Sequence, residues 1–130
     1  MVLGDTGILL AGLADRLDGL VVAGFGVGHV PSSVVDILTH LTSRMPVVLA
    51  SRTGAGSVLA NTYAFSGSES DLLSRGLIAA GFLDPLKARI LLHQLLASGH
   101  DHATTQAVFA RAGGYADPDQ TSHHIDTTAR

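Results

Sequence analysis

The chain has 130 residues, of which 46% are hydrophobic and 15% are charged, and it contains 15 glycines and 4 prolines. This composition predicts a single soluble, well-buried domain and excludes collagen-like and largely disordered chains. A formal net charge of −3 and a single lysine, Lys87, argue against a nucleic-acid partner, and the absence of cysteine excludes disulfides and thiolate chemistry.

The N-terminal region has neither a basic cluster nor a long apolar run. Asp5, Asp15 and Asp18 interrupt its apolar residues. The longest uncharged stretch before the polar C-terminal residues, 19–35, is broken by glycines and a proline. We therefore expect no signal peptide, no membrane span and no membrane partner, and we expect a cytoplasmic location.

The first predicted elements are a helix and a strand. Apolar residues recur at helical spacing over residues 6–15, with Asp5 or Thr6 placed to cap the helix. A short apolar run at residues 20–23, which ends at Gly24, is typical of a strand that is buried on both faces.

A second strand follows after a loop and a helix. Residues 24–29 form a glycine-spaced loop, and Pro31 favours the first turn of a helix. Residues 46–51 are a second apolar run with the composition of a buried strand. The order strand, helix, strand predicts two parallel, central strands in a small three-layer α/β sheet with flanking helices.

The middle of the chain is predicted to be a loop that leads into a short helix. Residues 52–67 contain three glycines and no sustained period, so we expect at most a short extended piece at residues 62–65. Ser68 and Asp71 have the spacing of a capping box, and the helix that they begin should end near Gly76.

Two further helices are predicted in the C-terminal half. Asp84 and Pro85 supply the N-cap and the first position of a helix that runs to Gly99. Its predicted apolar face consists of Leu86, Ile90, Leu91, Leu95 and Leu96. Asp101 is placed to cap a last helix, which the glycine pair at 113–114 ends. The residues predicted to face inward from that helix are Ala103, Ala107, Val108 and Ala110.

These elements predict one domain over residues 1–115. In residues 116–130 the apolar content falls to alanine and one isoleucine. Such a segment cannot bury enough apolar surface to offset its loss of conformational entropy, so we expect a disordered tail.

The glycine loop has the spacing of a ligand-binding turn. Gly24, Gly26 and Gly28 would let backbone N–H groups approach a pyrophosphate, but His29 stands where a dinucleotide fingerprint needs its third glycine. No acidic residue follows the next strand, so nucleotide binding is not favoured. We predict a ligand loop at the carboxyl edge of the sheet, where His29 is either a ligand-facing residue or a partly buried polar one.

Other catalytic and metal-binding patterns are absent from the sequence. The pairs His100–His102 and His123–His124 each lack a third ligand, so we predict a helix cap and a solvated tail rather than a metal site. No Gly-x-Ser-x-Gly motif occurs, and the aspartates occupy positions that suit helix caps. The residues alone predict no catalytic group, no metal and no cofactor.

Three longer segments resemble the C-terminal domain of the bacterial L-asparaginase/glutaminase family. They are DGLVVAGFGVGHVP at residues 18–31, PVVLASRTG at residues 46–54 and GLIAAGFLDPLKARILL at residues 76–92. With the spacing between them, the resemblance covers about residues 4–113. It implies a Rossmann/flavodoxin-like α/β domain.

The resemblance also implies an activity for the complete family enzymes. These homotetramers hydrolyse the side-chain amide of L-asparagine, and sometimes of L-glutamine, to the acid and ammonia without a metal or cofactor. Their catalytic threonines, aspartate and lysine lie in an N-terminal domain that has no counterpart here. Lys87 does not match the catalytic lysine, because it follows the helix start at Asp84. We therefore expect the isolated chain to hydrolyse neither amide.

Two substrate contacts are implied for this domain. In the family it closes the active site of a neighbouring subunit with a polar side chain from the glycine loop and an acidic one from the stretch after the second strand. These contacts correspond here to His29 and to the vicinity of Asn61 and Tyr63. The sequence departs from the family pattern because no carboxylate lies between Arg52 and Glu69.

Family members have one more parallel strand before the first helix, and residues 1–3 are too few to form it. We therefore expect the first strand to be missing, and the edge at residues 20–23 to bind an asparaginase N-terminal domain or a second copy of the chain. The chain would then be a fragment, one half of a split enzyme or a decayed remnant. Two hypotheses remain: a domain that completes an L-asparaginase-like amidohydrolase through assembly and active-site closure, or a stand-alone module that binds an amino acid or an anion or has a regulatory role.

Overall fold

The fold is a three-stranded parallel sheet with helices on both faces, in a computed structural model that describes residues 4–115. Its strands are β1(Leu20–Gly24), β2(Val47–Ser51) and β3(Ile78–Ala79), in the spatial order β1-β2-β3. The five residues of β1 pair in step with the five of β2, and both pairings in the sheet are parallel. The parallel pair joined through a helix is confirmed. The central position predicted for both strands is wrong for β1, which lies at an edge of the sheet formed by the described residues, because β3 pairs with β2 on its other side. Strand β3 was not predicted because two residues carry no recognisable period.

The described residues also contain four α-helices, namely α1(Val35–Thr42), α2(Glu69–Ser74), α3(Pro85–Ala97) and α4(His102–Ala112). On one face of the sheet, Leu38 of α1 belongs to the same buried apolar cluster as Leu49 of β2. On the other face, Phe109 of α4 shares a cluster with Val48. The side chains of β2 alternate between these two clusters, so the sheet is the middle of three layers and the predicted α/β class is confirmed.

Three of the predicted helix caps are confirmed. The Ser68 hydroxyl accepts a hydrogen bond from the backbone N–H of Asp71, at the start of α2. The Asp84 carboxylate accepts two backbone N–H groups at the start of α3, and Asp101 caps α4 in the same way through Thr104. Each cap satisfies donors that the first helical turn leaves without a partner.

The helix predicted over residues 6–15 is wrong. The segment forms only a 3-10 turn at Ile8–Leu10, followed by further turns. Gly7 and Gly12 adopt φ angles of 70° and 80°, and these left-handed positions interrupt a right-handed helix on both sides of the turn. Asp5 accepts a hydrogen bond from the N–H of Gly7 instead of capping a helix. The extended piece predicted at residues 62–65 is also absent, since these residues lie in irregular loop.

The apolar face predicted for α3 is partly wrong. Leu86 and Ile90 are 72% and 64% exposed, whereas Ala88, Leu92 and Leu95 are buried against the sheet. The helix carries apolar residues on more than one face, so periodicity alone did not select the inner one. The small side chain of Ala88 permits close approach to the strands.

The inner face predicted for α4 is also partly wrong. Ala103 and Ala107 are exposed, while Thr105 and Phe109 are buried. The large ring of Phe109 gains more from burial than an alanine methyl group does. The hydroxyl of Thr105 donates to the carbonyl of Asp101, so its burial leaves no polar atom without a partner.

Two predictions fall outside the described residues, namely the disordered tail at 116–130 and the inability of residues 1–3 to form a strand. None of the helices between residues 4 and 115 is long and apolar enough to cross a lipid bilayer.

Candidate functional site

The glycine loop closes on itself at the carboxyl end of β1. The N–H of Phe25 donates to the carbonyl of His29 at 2.8 Å, and the N–H groups of Gly28 and His29 both donate to the carbonyl of Phe25, at 2.9 and 2.8 Å. A Cβ atom on Gly24 would lie 2.9 Å from the carbonyl oxygen of His29, so only glycine permits this approach. The N–H groups of Phe25, Gly28 and His29 are therefore engaged within the loop itself.

The end of β2 supports the same loop. The hydroxyl of Ser51 donates to the carbonyl of Gly26 and lies 2.8 Å from the hydroxyl of Thr53. The guanidinium carbon of Arg52 lies 4.2 Å from the ring centroid of Phe25, within the range of a cation–π contact. The residues that follow β1 and those that follow β2 therefore lie together at the carboxyl ends of these two strands.

His29 is paired with a buried carboxylate from a distant part of the chain. Its Nε2 lies 3.1 Å from Oε2 of Glu69, whose side chain is fully buried, while the His29 side chain remains 24% exposed. Oε1 of Glu69 accepts the backbone N–H groups of Thr62 and Tyr63, each at 2.9 Å. Glu69 thus connects the glycine loop to the loop at residues 61–67.

The environment of Glu69 favours its ionised form. Burial raises its pKa, but hydrogen bonds from the backbone of Tyr63, from that of Thr62 and from His29 outweigh the burial and leave the pKa below the ordinary value of 4.5. A buried carboxylate with several donors commonly stays charged in this way. Glu69 is therefore an anion at neutral pH.

Two aromatic rings flank the His29 ring. The centroids of Tyr63 and Phe65 each lie 5.0 Å from that of His29, at interplanar angles of 90° and 73°. Both rings are about half exposed. We call His29, Tyr63, Phe65 and Glu69 the His29 cluster; it is a partly exposed group of rings above a buried negative charge.

The sequence had selected part of this cluster. The structure brings His29 and Tyr63 together, whereas Asn61 is exposed and no hydrogen bond between described residues joins its side chain to the cluster. Glu69 was missed as a site residue because it lies next to a helix cap. The one available signal was that it is the only glutamate in the chain. The sequence has no carboxylate between Arg52 and Glu69, but the fold brings the Glu69 carboxylate to the backbone N–H groups of Thr62 and Tyr63.

A second feature of the molecule is the free edge of β1. Among residues 4–115, β1 pairs only with β2. A groove of about 240 Å³ lies along one side of β1 and includes the apolar residues Leu9 and Leu10. Another of about 340 Å³ is lined by Leu20, Val21 and residues of α3, among them Leu92. The edge is thus flanked by two grooves that are mostly apolar and that also include Asp5 in the first and Asp18, Arg89 and His93 in the second.

Metal ligands do not converge in the described part of the chain. No group of three His, Asp or Glu side chains there could hold a metal ion. His123–His124 lies outside the described residues.

Comparison with known proteins gives consistent similarities. The domain description "Glutaminase/Asparaginase C-terminal domain" matches residues 2–109. The chain is 39% identical over 101 residues to the "Probable L-asparaginase" of Deinococcus radiodurans, a match that covers 78% of this chain and 30% of that protein. It is 34% identical over 96 residues to an L-asparaginase of Bacillus licheniformis, covering 73% of this chain and 30% of the relative. The match to L-asparaginase 2 of Escherichia coli is 36% over 93 residues, covering 71% and 25%. The chain therefore matches only about a quarter to a third of each relative.

Proposed function

Because the chain belongs to the glutaminase/asparaginase C-terminal domain family, we propose that it completes an L-asparaginase-like amidohydrolase, by closing its active site and contributing to its assembly. The observation that carries this proposal is the His29 cluster. It presents a partly exposed histidine from a rigid loop at the carboxyl edge of a parallel sheet, where open α/β sheets bind ligands.

The rigidity of the loop supports a role in closure. His29 is held by its backbone hydrogen bonds to Phe25 and by its side-chain contact with Glu69. Little conformational entropy is then lost when the ring meets a substrate in a neighbouring subunit. The exposed rings of Tyr63 and Phe65 offer apolar surface for that subunit to cover.

The free edge of β1 supports a role in assembly. The backbone N–H of Leu20 donates to Pro46, and the backbone carbonyl of Gly24 accepts from Arg52. In a parallel ladder, successive residues direct their backbone N–H and C=O groups alternately toward the neighbouring strand and away from it. The N–H and C=O groups of Val21 and Ala23 therefore point away from β2. An extended segment of an N-terminal domain could pair with these groups while its side chains fill the two grooves.

In this proposal the chain supplies binding and orientation, and the nucleophile comes from the N-terminal domain. The hydroxyls that follow β2, those of Ser51 and Thr53, bond to each other and to backbone carbonyls rather than to a base that could activate them. The substrates are the side-chain amides of L-asparagine or L-glutamine, and no cofactor is required.

The test is complementation. The chain is co-expressed with the N-terminal region of the Deinococcus radiodurans relative, and ammonia release from L-asparagine and L-glutamine is measured in host cells without their own asparaginases. We expect activity from the pair and none from either part alone. His29→Ala should raise KM while the two parts still copurify, whereas His40→Ala, on the exposed side of α1, should leave KM unchanged.

Two results would contradict the proposal. One is ammonia release by the isolated chain. The other is a chain that light scattering shows to be a monomer and that binds none of the asparaginase N-terminal regions tested with it. If such a monomer bound free amino acids or anions, the stand-alone binding module would be the better description.

A further inference from the structure

We propose that Glu69 is a positioning residue that fixes the tautomer of His29, so that the ring presents an unprotonated Nδ1 to a ligand that donates an N–H hydrogen bond. The ligand part of this inference rests on the proposed function, because that function places a substrate at His29. The tautomer itself is a property of this chain alone.

The first step concerns the direction of the contact between the two side chains. An ionised carboxylate can only accept hydrogen bonds. Oε1 of Glu69 is occupied by the N–H groups of Thr62 and Tyr63, and Oε2 faces Nε2 of His29 at 3.1 Å. Nε2 must therefore carry the proton that makes this bond. In the neutral imidazole the other nitrogen, Nδ1, is then a lone-pair acceptor.

The second step concerns where Nδ1 points. Between residues 4 and 115, the one hydrogen-bond partner of the His29 side chain is Glu69. In the same part of the chain, no buried side-chain nitrogen or oxygen lacks a partner. Nδ1 is therefore not buried, in agreement with the 24% exposure of the side chain. Contacts with Tyr63 and Phe65 on the ring restrict its rotation.

The third step concerns the chemistry of the ligand. A neutral acceptor that lies above a buried anion attracts N–H donors, such as a primary ammonium or a carboxamide, and disfavours carboxylates. The opposite tautomer would present a donor and would favour carboxylate or carbonyl oxygens. Glu69 thus determines whether His29 binds the N–H donors or the carboxylate of an amino acid, without itself contacting that ligand.

The variant Glu69→Gln is designed to reverse this polarity. Its amide oxygen can still accept the N–H groups of Thr62 and Tyr63, which keeps the loop in place. Its amide NH2 then occupies the position of Oε2 and can only donate to Nε2 of His29. The ring proton should consequently move to Nδ1. Glu69→Ala is the matched control, because it removes the carboxylate and offers no replacement donor.

The measurement is long-range 15N–1H correlation NMR on the uniformly labelled full chain at about pH 8, well above the usual histidine pKa of about 6.5. The resonances of His29 are identified by their loss in His29→Asn. We expect the Nε2–H tautomer in the natural chain, the Nδ1–H tautomer in Glu69→Gln, and a mixture in Glu69→Ala. Backbone amide resonances away from the His29 cluster should not move.

Three results would overturn the inference: a natural chain with the Nδ1–H tautomer, an even mixture of tautomers, or a doubly protonated His29 at that pH. If Glu69→Gln does not fold, the spectrum of the natural chain still shows which tautomer His29 adopts and so tests the inference. In the complemented enzyme, Glu69→Gln should raise KM about tenfold or more and change kcat little. Failure of complementation with the Nε2–H tautomer present would contradict the proposed function and leave the positioning role intact.

Discussion

Strands β1 and β2 have similar apolar sequences but different surroundings. All five residues of β2 are buried, whereas only Val22 and Gly24 are buried in β1. The difference arises because β2 has a neighbour on each side in the described part of the sheet, while β1 has one. Edge strands usually carry charged residues or proline that prevent further pairing, and β1 has neither. The composition of β1 is that of an interior strand, which supports the proposal that another segment covers it.

The largest effect is expected from Leu49→Ala in β2. Leu49 is fully buried, so the substitution should lower the free energy of unfolding by about 2–5 kcal/mol. Urea denaturation followed by circular dichroism measures this loss. A loss below about 1 kcal/mol would show that the centre of the sheet is not the main source of stability.

Val48 and Val21 offer a direct comparison because they are register partners with the same side chain. Val48 is fully buried and Val21 is half-buried. Val48→Ala should cost about 2 kcal/mol and Val21→Ala less than about 1 kcal/mol in the isolated chain. Binding of an N-terminal domain at β1 should bury Val21 and so reduce the difference in stability loss between Val48→Ala and Val21→Ala. Equal costs in the isolated chain would contradict the difference in burial.

The pH dependence of stability distinguishes the contribution of the Glu69 charge from that of the buried apolar side chains. The lowered pKa of Glu69 means that its ionised form stabilises the folded chain above about pH 4.5 and that this stabilisation is lost as the pH falls through the lower folded value. The stability difference between the natural chain and Glu69→Gln should therefore shrink between about pH 7 and pH 3. The cost of Leu49→Ala should stay nearly constant over the same range. A parallel decline in both would assign the acid sensitivity to other groups.

The smallest effect on the isolated chain is expected from Val21→Pro. Proline is tolerated where the N–H group points away from the sheet, so the ladder between β1 and β2 should persist with little loss of stability. The substitution should nevertheless abolish copurification with an N-terminal domain, because it removes an outward donor. Val21→Thr keeps that N–H group and should copurify normally. Normal binding by Val21→Pro would rule out strand addition at this edge.

Features that depend on neighbouring residues could be predicted from the sequence. The apolar runs of β1 and β2 and the caps at Ser68, Asp84 and Asp101 were identified because short stretches determine them. The first helix was wrongly predicted because apolar spacing was given more weight than the breaks at its glycines.

Contacts between distant segments could not be predicted in this way. His29 and Glu69 are separated by 40 positions, and no local pattern signals their pairing. The pairing depends on how the loop at residues 61–67 folds back over the glycine loop, which tertiary packing decides. The inner faces of α3 and α4 were predicted only in part for the same reason, since the sheet selects which face of each helix is buried.

The carboxylate of Glu69 has a consequence for how this chain can vary over evolutionary time. A substitution at His29 alone would leave a buried anion with one hydrogen-bond partner fewer, and a substitution at Glu69 alone to a residue without a side-chain acceptor would leave the N–H groups of Thr62 and Tyr63 unsatisfied. Either single change is costly, whereas a joint change can restore a satisfied arrangement. We therefore expect relatives to retain or exchange the two residues together, so that positions 29 and 69 covary.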